Sequence, residues 1–151
     1  MKKISFVIVA CIIFSVFLCS CHLTDTNELC QNIYYEEILK TQKITIISAD
    51  TYNTVATLSS KEELTDFINA LDIAKWELKS LPKDAEKSGI LSLSQEKTLM
   101  FGQSISNKRL HNISEIYSYK SVPYVTLKTS EISMSFKVTK NTAEYLNAYF
   151  E

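Results

Sequence analysis

From residue 42 onward the chain moves between two hydrophobic periods. Ile44 and Ile46 flank Thr45, and a second β-rich run, Tyr52 to Leu58, follows the turn-like Asp50 to Asn53. Spacing of two marks half-buried strands, so residues 42–49 and 52–58 predict a hairpin. The period then lengthens. Leu64, Phe67, Ile68 and Leu71 recur at helical spacing behind Ser60 and Glu63, which stand at capping-box distance. They predict a helix over 61–73 with one buried face.

Ala74, Trp76 and Leu78 alternate with Lys75, Glu77 and Lys79, the pattern of another half-buried strand. Leu81 to Ser88 is a polar connection containing Pro82. Leu91 and Leu93, then Leu99 and Phe101, predict two short strands around a turn at Gln95 to Lys97, and residues 102–112 read as a loop. Residues 113–119 and 122–127 are β-rich. Ile132, Met134, Phe136 and Val138 alternate strictly with polar residues after a turn at Thr129 to Glu131. Asn141, with Glu144 three residues on, predicts the cap of a last helix, docked through Leu146, Tyr149 and Phe150. The order is ββα, several strands, then α, without βαβ alternation. The expected fold class is therefore α+β: a twisted antiparallel sheet with two helices packed on one face, forming a single domain over 42–151.

Composition narrows the function classes. Of 151 residues, 46% are hydrophobic and 22% charged, which suits a globular chain. The net charge of -1 gives no basic surface for nucleic acid. Two glycines leave no material for a glycine-rich phosphate loop.

The N-terminus carries an address. Lys2 and Lys3 precede a segment from Ile4 to Cys19 that is apolar apart from Ser5 and Ser15. It is shorter than the roughly 20 residues a spanning helix needs, and reads as a secretory signal. Leu18-Cys19-Ser20-Cys21 places a large aliphatic residue three before a cysteine and a small residue just before it. This resembles the lipobox of bacterial prolipoproteins. The resemblance implies a signal peptide over 1–20 and a diacylglycerol on Cys21, which becomes the new N-terminus. It further implies a chain anchored at the extracytoplasmic face of the cell membrane through that lipid. Two acyl chains suffice for stable attachment, at about 0.8 kcal/mol per buried CH₂. Residues 21–41 would be the lipidated terminus and a tether; 20 residues of coil reach roughly 25 Å.

Loss of Lys2 and Lys3 takes the 16 basic residues down by two against 17 acids, a net charge of -3. That charge is not drawn to anionic headgroups, so the lipid is the expected membrane contact. Of four cysteines only Cys30 then stays a free thiol, which excludes an internal disulfide. The layout also resembles the small YhfM-like lipoproteins of Gram-positive bacteria: lipobox, short tether, and one α+β domain ending in an alternating strand and a capped helix. That likeness implies an envelope location and names no activity.

Catalytic patterns are sparse. The histidines are His22, beside Cys21, and His111, in the expected loop; with Cys30 they make no zinc-site spacing. No HExxH, GxSxG or P-loop pattern occurs. Catalytic residues, metal and cofactor are accordingly all assigned as none. Glu62, Glu63 and Asp66 are explained by the dipole at a helix start. One constellation suits binding: Tyr117, Tyr119 and Tyr124 around Lys120, since aromatic rings beside amines grip peptides and sugars. Tyrosine is equally at home half buried in a sheet. The expected function is a membrane-anchored, non-enzymatic binding or accessory module for a protein, peptide or cell-wall component. The alternatives are a wall-active hydrolase using scattered carboxylates, or an inhibitor or immunity-type protein of an envelope enzyme.

Overall fold

The computed structural model describes residues 38–96 and 109–151. The signal segment, Cys21, Cys30, the tether up to residue 37, and Leu99 and Phe101 lie outside the described residues. The first hairpin forms as its alternation predicts, from β1 (Lys43–Ser48) and β2 (Thr54–Leu58). Ile38 and Thr41, at the end of the expected tether, are buried, and Ile38 joins the core at 1% exposure.

Helix α1 (Lys61–Leu71) starts at the expected capping box. Ser60 Oγ accepts from Glu63 N–H at 3.2 Å, and Glu63 Oε2 accepts from the N–H groups of Ser60 at 3.0 Å and Ser59 at 3.2 Å. These bonds, the Ser60 N–H first, hold the Glu63 carboxyl below its ordinary range. A depressed carboxylate stabilises the fold above its unfolded pKa and loses that contribution as pH falls through the folded value. Glu63→Gln is therefore expected to lower Tm at neutral pH. The gap to the unsubstituted protein should close as the pH drops below 4.5, the unshifted value. A gap that stays constant into acid in a pH series of melts would contradict this.

The helix ends two residues before the expected Ile73. Asp72 takes the left-handed conformation at φ 46°, which its short polar side chain tolerates, and returns its N–H to Asn69 O. The expected strand at 74–79 is largely replaced: Ile73–Lys75 form a 3₁₀ turn, and only β3 (Glu77–Leu78) is extended. The turn swings Trp76 inward, where its indole N–H donates to Leu71 O at 2.7 Å.

The expected turn at Gln95 to Lys97 is also corrected, because β4 (Lys87–Glu96) continues through Gln95 and Glu96. β5 (Leu110–Tyr119) begins inside the expected loop, pairing Gln95 with His111 and Glu96 with Leu110, so cross-strand bonding extends both strands. β6 (Tyr124–Thr129) and β7 (Ser133–Lys137) follow as a hairpin. Helix α2 (Lys140–Asn147) is capped by Thr139 rather than Asn141. Thr139 Oγ1 accepts from Thr142 N–H at 3.2 Å, and this frame puts Thr142 and Leu146, four apart, on the buried side.

The strands form one antiparallel sheet in the order β2-β1-β4-β5-β6-β7-β3. Ile44, Ile46, Leu91, Leu93, Ile116, Val125, Leu127 and Phe136 share one face. They form a single core with Leu64, Phe67 and Leu71 of α1 and Leu146 of α2. Both helices thus cover the same face, and the fold is α+β. Behind α2, Gly89 lies against the ring of Phe150, where any Cβ would collide with it. Gly89→Ala is expected to cost about 1–3 kcal/mol by displacing that ring. In a Phe150→Ala background the cost should largely vanish, which a urea-unfolding cycle measures.

Candidate functional site

The face away from the helices holds the chemistry. Strand parity places Glu115, Tyr117 and Tyr119 of β5 on it, together with Tyr124, Thr126 and Lys128 of β6, which sit in register with β5 and β7. Lys87 reaches the same face through a bulge. The register between β4 and β5 shifts across Lys87 to Gly89, and Ser88 turns toward α2, donating to Asn147 Oδ1 at 2.6 Å.

Tyr117 is the centre. Its hydroxyl donates to Glu115 Oε2 at 2.7 Å and accepts from Lys128 Nζ at 3.4 Å. Lys87 Nζ stands 4.0 Å from the ring centroid and Lys128 Nζ 5.9 Å, so the quadrupole of one ring faces two ammonium groups. Glu115 also accepts from Asn112 Nδ2 at 3.3 Å and lies 3.9 Å from Lys128. Burial, then the bond to Glu115, pushes the Tyr117 phenol up; the bond to Tyr117 pushes the Lys128 ammonium up. At neutral pH the ring is uncharged and the Lys128 ammonium beside it is protonated.

Glu115 and Lys128 also line a hollow of about 660 Å³ at the strand ends, with Gln95, Asn112, Ser114 and Glu131. Ser114 Oγ is buried without a hydrogen-bond partner among the described residues, but alternation along β5 turns it to the helix-covered face opposite Leu93, away from Glu115 and Tyr117.

The structure divides the expected patch. Tyr117 is half buried and reachable. Tyr119 is 4% exposed, and its hydroxyl shares a 2.8 Å bond with Thr126, which shares another of 2.8 Å with Ser135. The connection from β3 to β4 is anchored at both ends near this chain of hydroxyls: Lys79 N–H donates to Ser135 O, and Glu86 O accepts from Lys120 N–H. Tyr124 is half buried on the same face, opposite Lys137. Lys120 leaves the group altogether. It sits in the turn after β5 and bonds both carboxylate oxygens of Asp50 at 2.9 Å, which raises its pKa.

In place of Lys120 the fold supplies Lys87, Lys128 and Glu115, none of which the sequence reading picked out. Glu115 was within reach of it, two residues before Tyr117 on one strand face. Lys128 needs the β5–β6 register and Lys87 needs the bulge. His111 is exposed in β5 opposite Gln95. Of the acidic group at the start of α1, Glu63 is engaged in the cap. Among the described residues no three His, Cys, Asp or Glu side chains gather as a cation cage. The arrangement offers an aromatic face, two cations and a fixed carboxylate beside a polar hollow, which is the equipment for holding a hydroxyl-rich or anionic ligand. No protein-family model, no curated protein and no solved structure matches the chain.

Proposed function

We propose that this chain is a lipid-anchored envelope module, tethered through Cys21, that binds a cell-wall component on the open face of its sheet around Tyr117. The observation that carries the reading is the Tyr117 ring with the ammonium groups of Lys87 and Lys128 beside it and its hydroxyl fixed by Glu115, which together with Lys128 also lines the neighbouring hollow. Wall polymers present both sugar hydroxyls and carboxylates, and these match the donors, the aromatic face and the cations of the site. Four residues from Leu18 to Cys21 support the anchor.

Binding is tested by co-sedimentation of the protein with purified wall sacculi. Tyr117→Ala should weaken it about tenfold, or about 1.4 kcal/mol, whereas Tyr117→Phe, which keeps the ring, should retain most of it. Equal binding by the unsubstituted and Tyr117→Ala proteins would sink the ligand assignment. The anchor is tested separately, by intact mass of the native product and by Cys21→Ala, which should release the protein from the membrane fraction. A native product that still begins at Met1 would sink that part.

A further inference from the structure

The open face carries its charges in an order along β5. Lys128 and Glu115, 3.9 Å apart, offset each other beside Tyr117. No ion pair among the described residues includes the charges that flank them, Lys87 and Glu131. Lys87 Nζ lies 4.0 Å from the centroid of the Tyr117 ring, a contact that leaves its charge in place. Glu131 lines the hollow with Glu115 and Lys128, and its N–H donates to Thr129 Oγ1 at 3.3 Å in the turn between β6 and β7. Thr129 is in register with Ser114, three residues along β5 from Tyr117. At about 3.4 Å per residue, the cationic and acidic ends of the row stand roughly 10 Å apart.

We propose that the part of the wall taken by this face is its peptide, an assignment that rests on the binding role proposed for Tyr117. The peptide lies along β5 as a short zwitterion, its carboxylate at Lys87 and Lys128 over Tyr117 and its free ammonium at Glu131. Extended peptide advances by about the same 3.4 Å per residue, so three or four residues carry the two groups about 10 Å apart. The carboxylate then accepts charge-assisted bonds from the lysines, and the ammonium donates them to Glu131. A glycan strand offers hydroxyls and acids but no ammonium. Laid along the same row it would cover the Glu131 carboxylate with nothing to pair it, a cost the peptide avoids. Wall peptides that are not cross-linked keep both a free amine and a free carboxylate, so these are the expected ligands.

The test is competition in the sacculus co-sedimentation of the full chain, held in detergent micelles. Peptides released from purified wall should displace the protein from sacculi. The same peptides acetylated at the amine, or amidated at the carboxylate, should compete about tenfold less well. Glu131→Gln should weaken the free peptide about tenfold and leave the acetylated one as it was; Lys87→Gln should do the same with the amidated one. Both side chains are exposed, so neither substitution should change the far-UV circular dichroism. Peptide-free glycan strands that compete as well as the peptides would overturn the peptide assignment, as would acetylation and amidation without effect, while the dependence on Tyr117 still held. Sacculus binding indifferent to Tyr117→Ala would instead remove the wall ligand itself.

Discussion

Phe67→Ala is expected to lower the thermal midpoint by about 15 °C or more, the largest effect of any single truncation in α1. Phe67 is fully buried, and its ring lies 5.9 Å from that of Tyr145 and 6.5 Å from that of Tyr149. The two tyrosines are edge-on to each other at 5.7 Å, and their hydroxyls share a 3.1 Å bond. One side chain thus joins α1 to α2 and to the residues just beyond it. Removing it deletes apolar burial and leaves a cavity that two tyrosines tied to each other cannot easily fill. The usual cost is about 3–5 kcal/mol. Against a typical total of 5–15 kcal/mol that is a large fraction. For a domain of this size each kcal/mol moves the midpoint by about 4 °C or more. Phe67→Leu should lose much less, because most of the volume stays. A melt of Phe67→Ala within about 3 °C of the unsubstituted protein would show that the interhelical cluster contributes little.

Trp76→Ala is expected to cost a similar 3–5 kcal/mol, and Trp76→Phe only about 1–1.5 kcal/mol. The indole is 3% exposed and its ring lies 5.4 Å from that of Phe136 in β7. Its N–H caps Leu71 O at the end of α1, a carbonyl that Thr142 Oγ1 also reaches at 3.3 Å. Phenylalanine keeps the ring contact and leaves that carbonyl its second donor, so the two substitutions separate packing from hydrogen bonding. Urea unfolding followed by far-UV circular dichroism measures both. Trp76 is the single tryptophan of the chain, so its emission in the unsubstituted protein should shift to the red in the same transition. Equal losses for the two variants would mean that the indole bond, and not the ring, dominates.

Trp76 also shows where reading along the chain stops working. Its neighbours alternate polar and apolar as regularly as Ile132 to Val138, yet one stretch is a 3₁₀ turn and the other a strand. Alternation reports only which residues seek burial. Asp72 in the left-handed conformation sets where α1 ends, and the next turn then aims Trp76 at Phe136 from outside the sheet. The cap of α2 moved from Asn141 to Thr139 for a related reason. Both side chains suit a cap, and the choice fell to the frame that buries Thr142 and Leu146 together. The candidate site divides the same way. Tyr117 and Tyr119 share a face because they are two apart on β5, which the sequence pattern contains. Lys120 is the next residue but sits in a turn bonded to Asp50, so proximity in sequence did not put its amine beside the rings.

What the sequence by itself determined was the kind of each main element: the β1–β2 hairpin, α1 with its capping box, the two last strands and a closing helix. From these came the α+β class. All of them rest on periods of two or 3.6 and on caps within four residues, interactions short enough to be written locally. The tertiary structure decided the strand order, the joining of α1 to α2 through Phe67, and the company Tyr117 keeps. Lys128 meets Glu115 through strand pairing, and Lys87 meets the ring through a bulge at Ser88 and Gly89. Those contacts follow from register, and register is set by the burial of the whole face at once rather than by any segment of it.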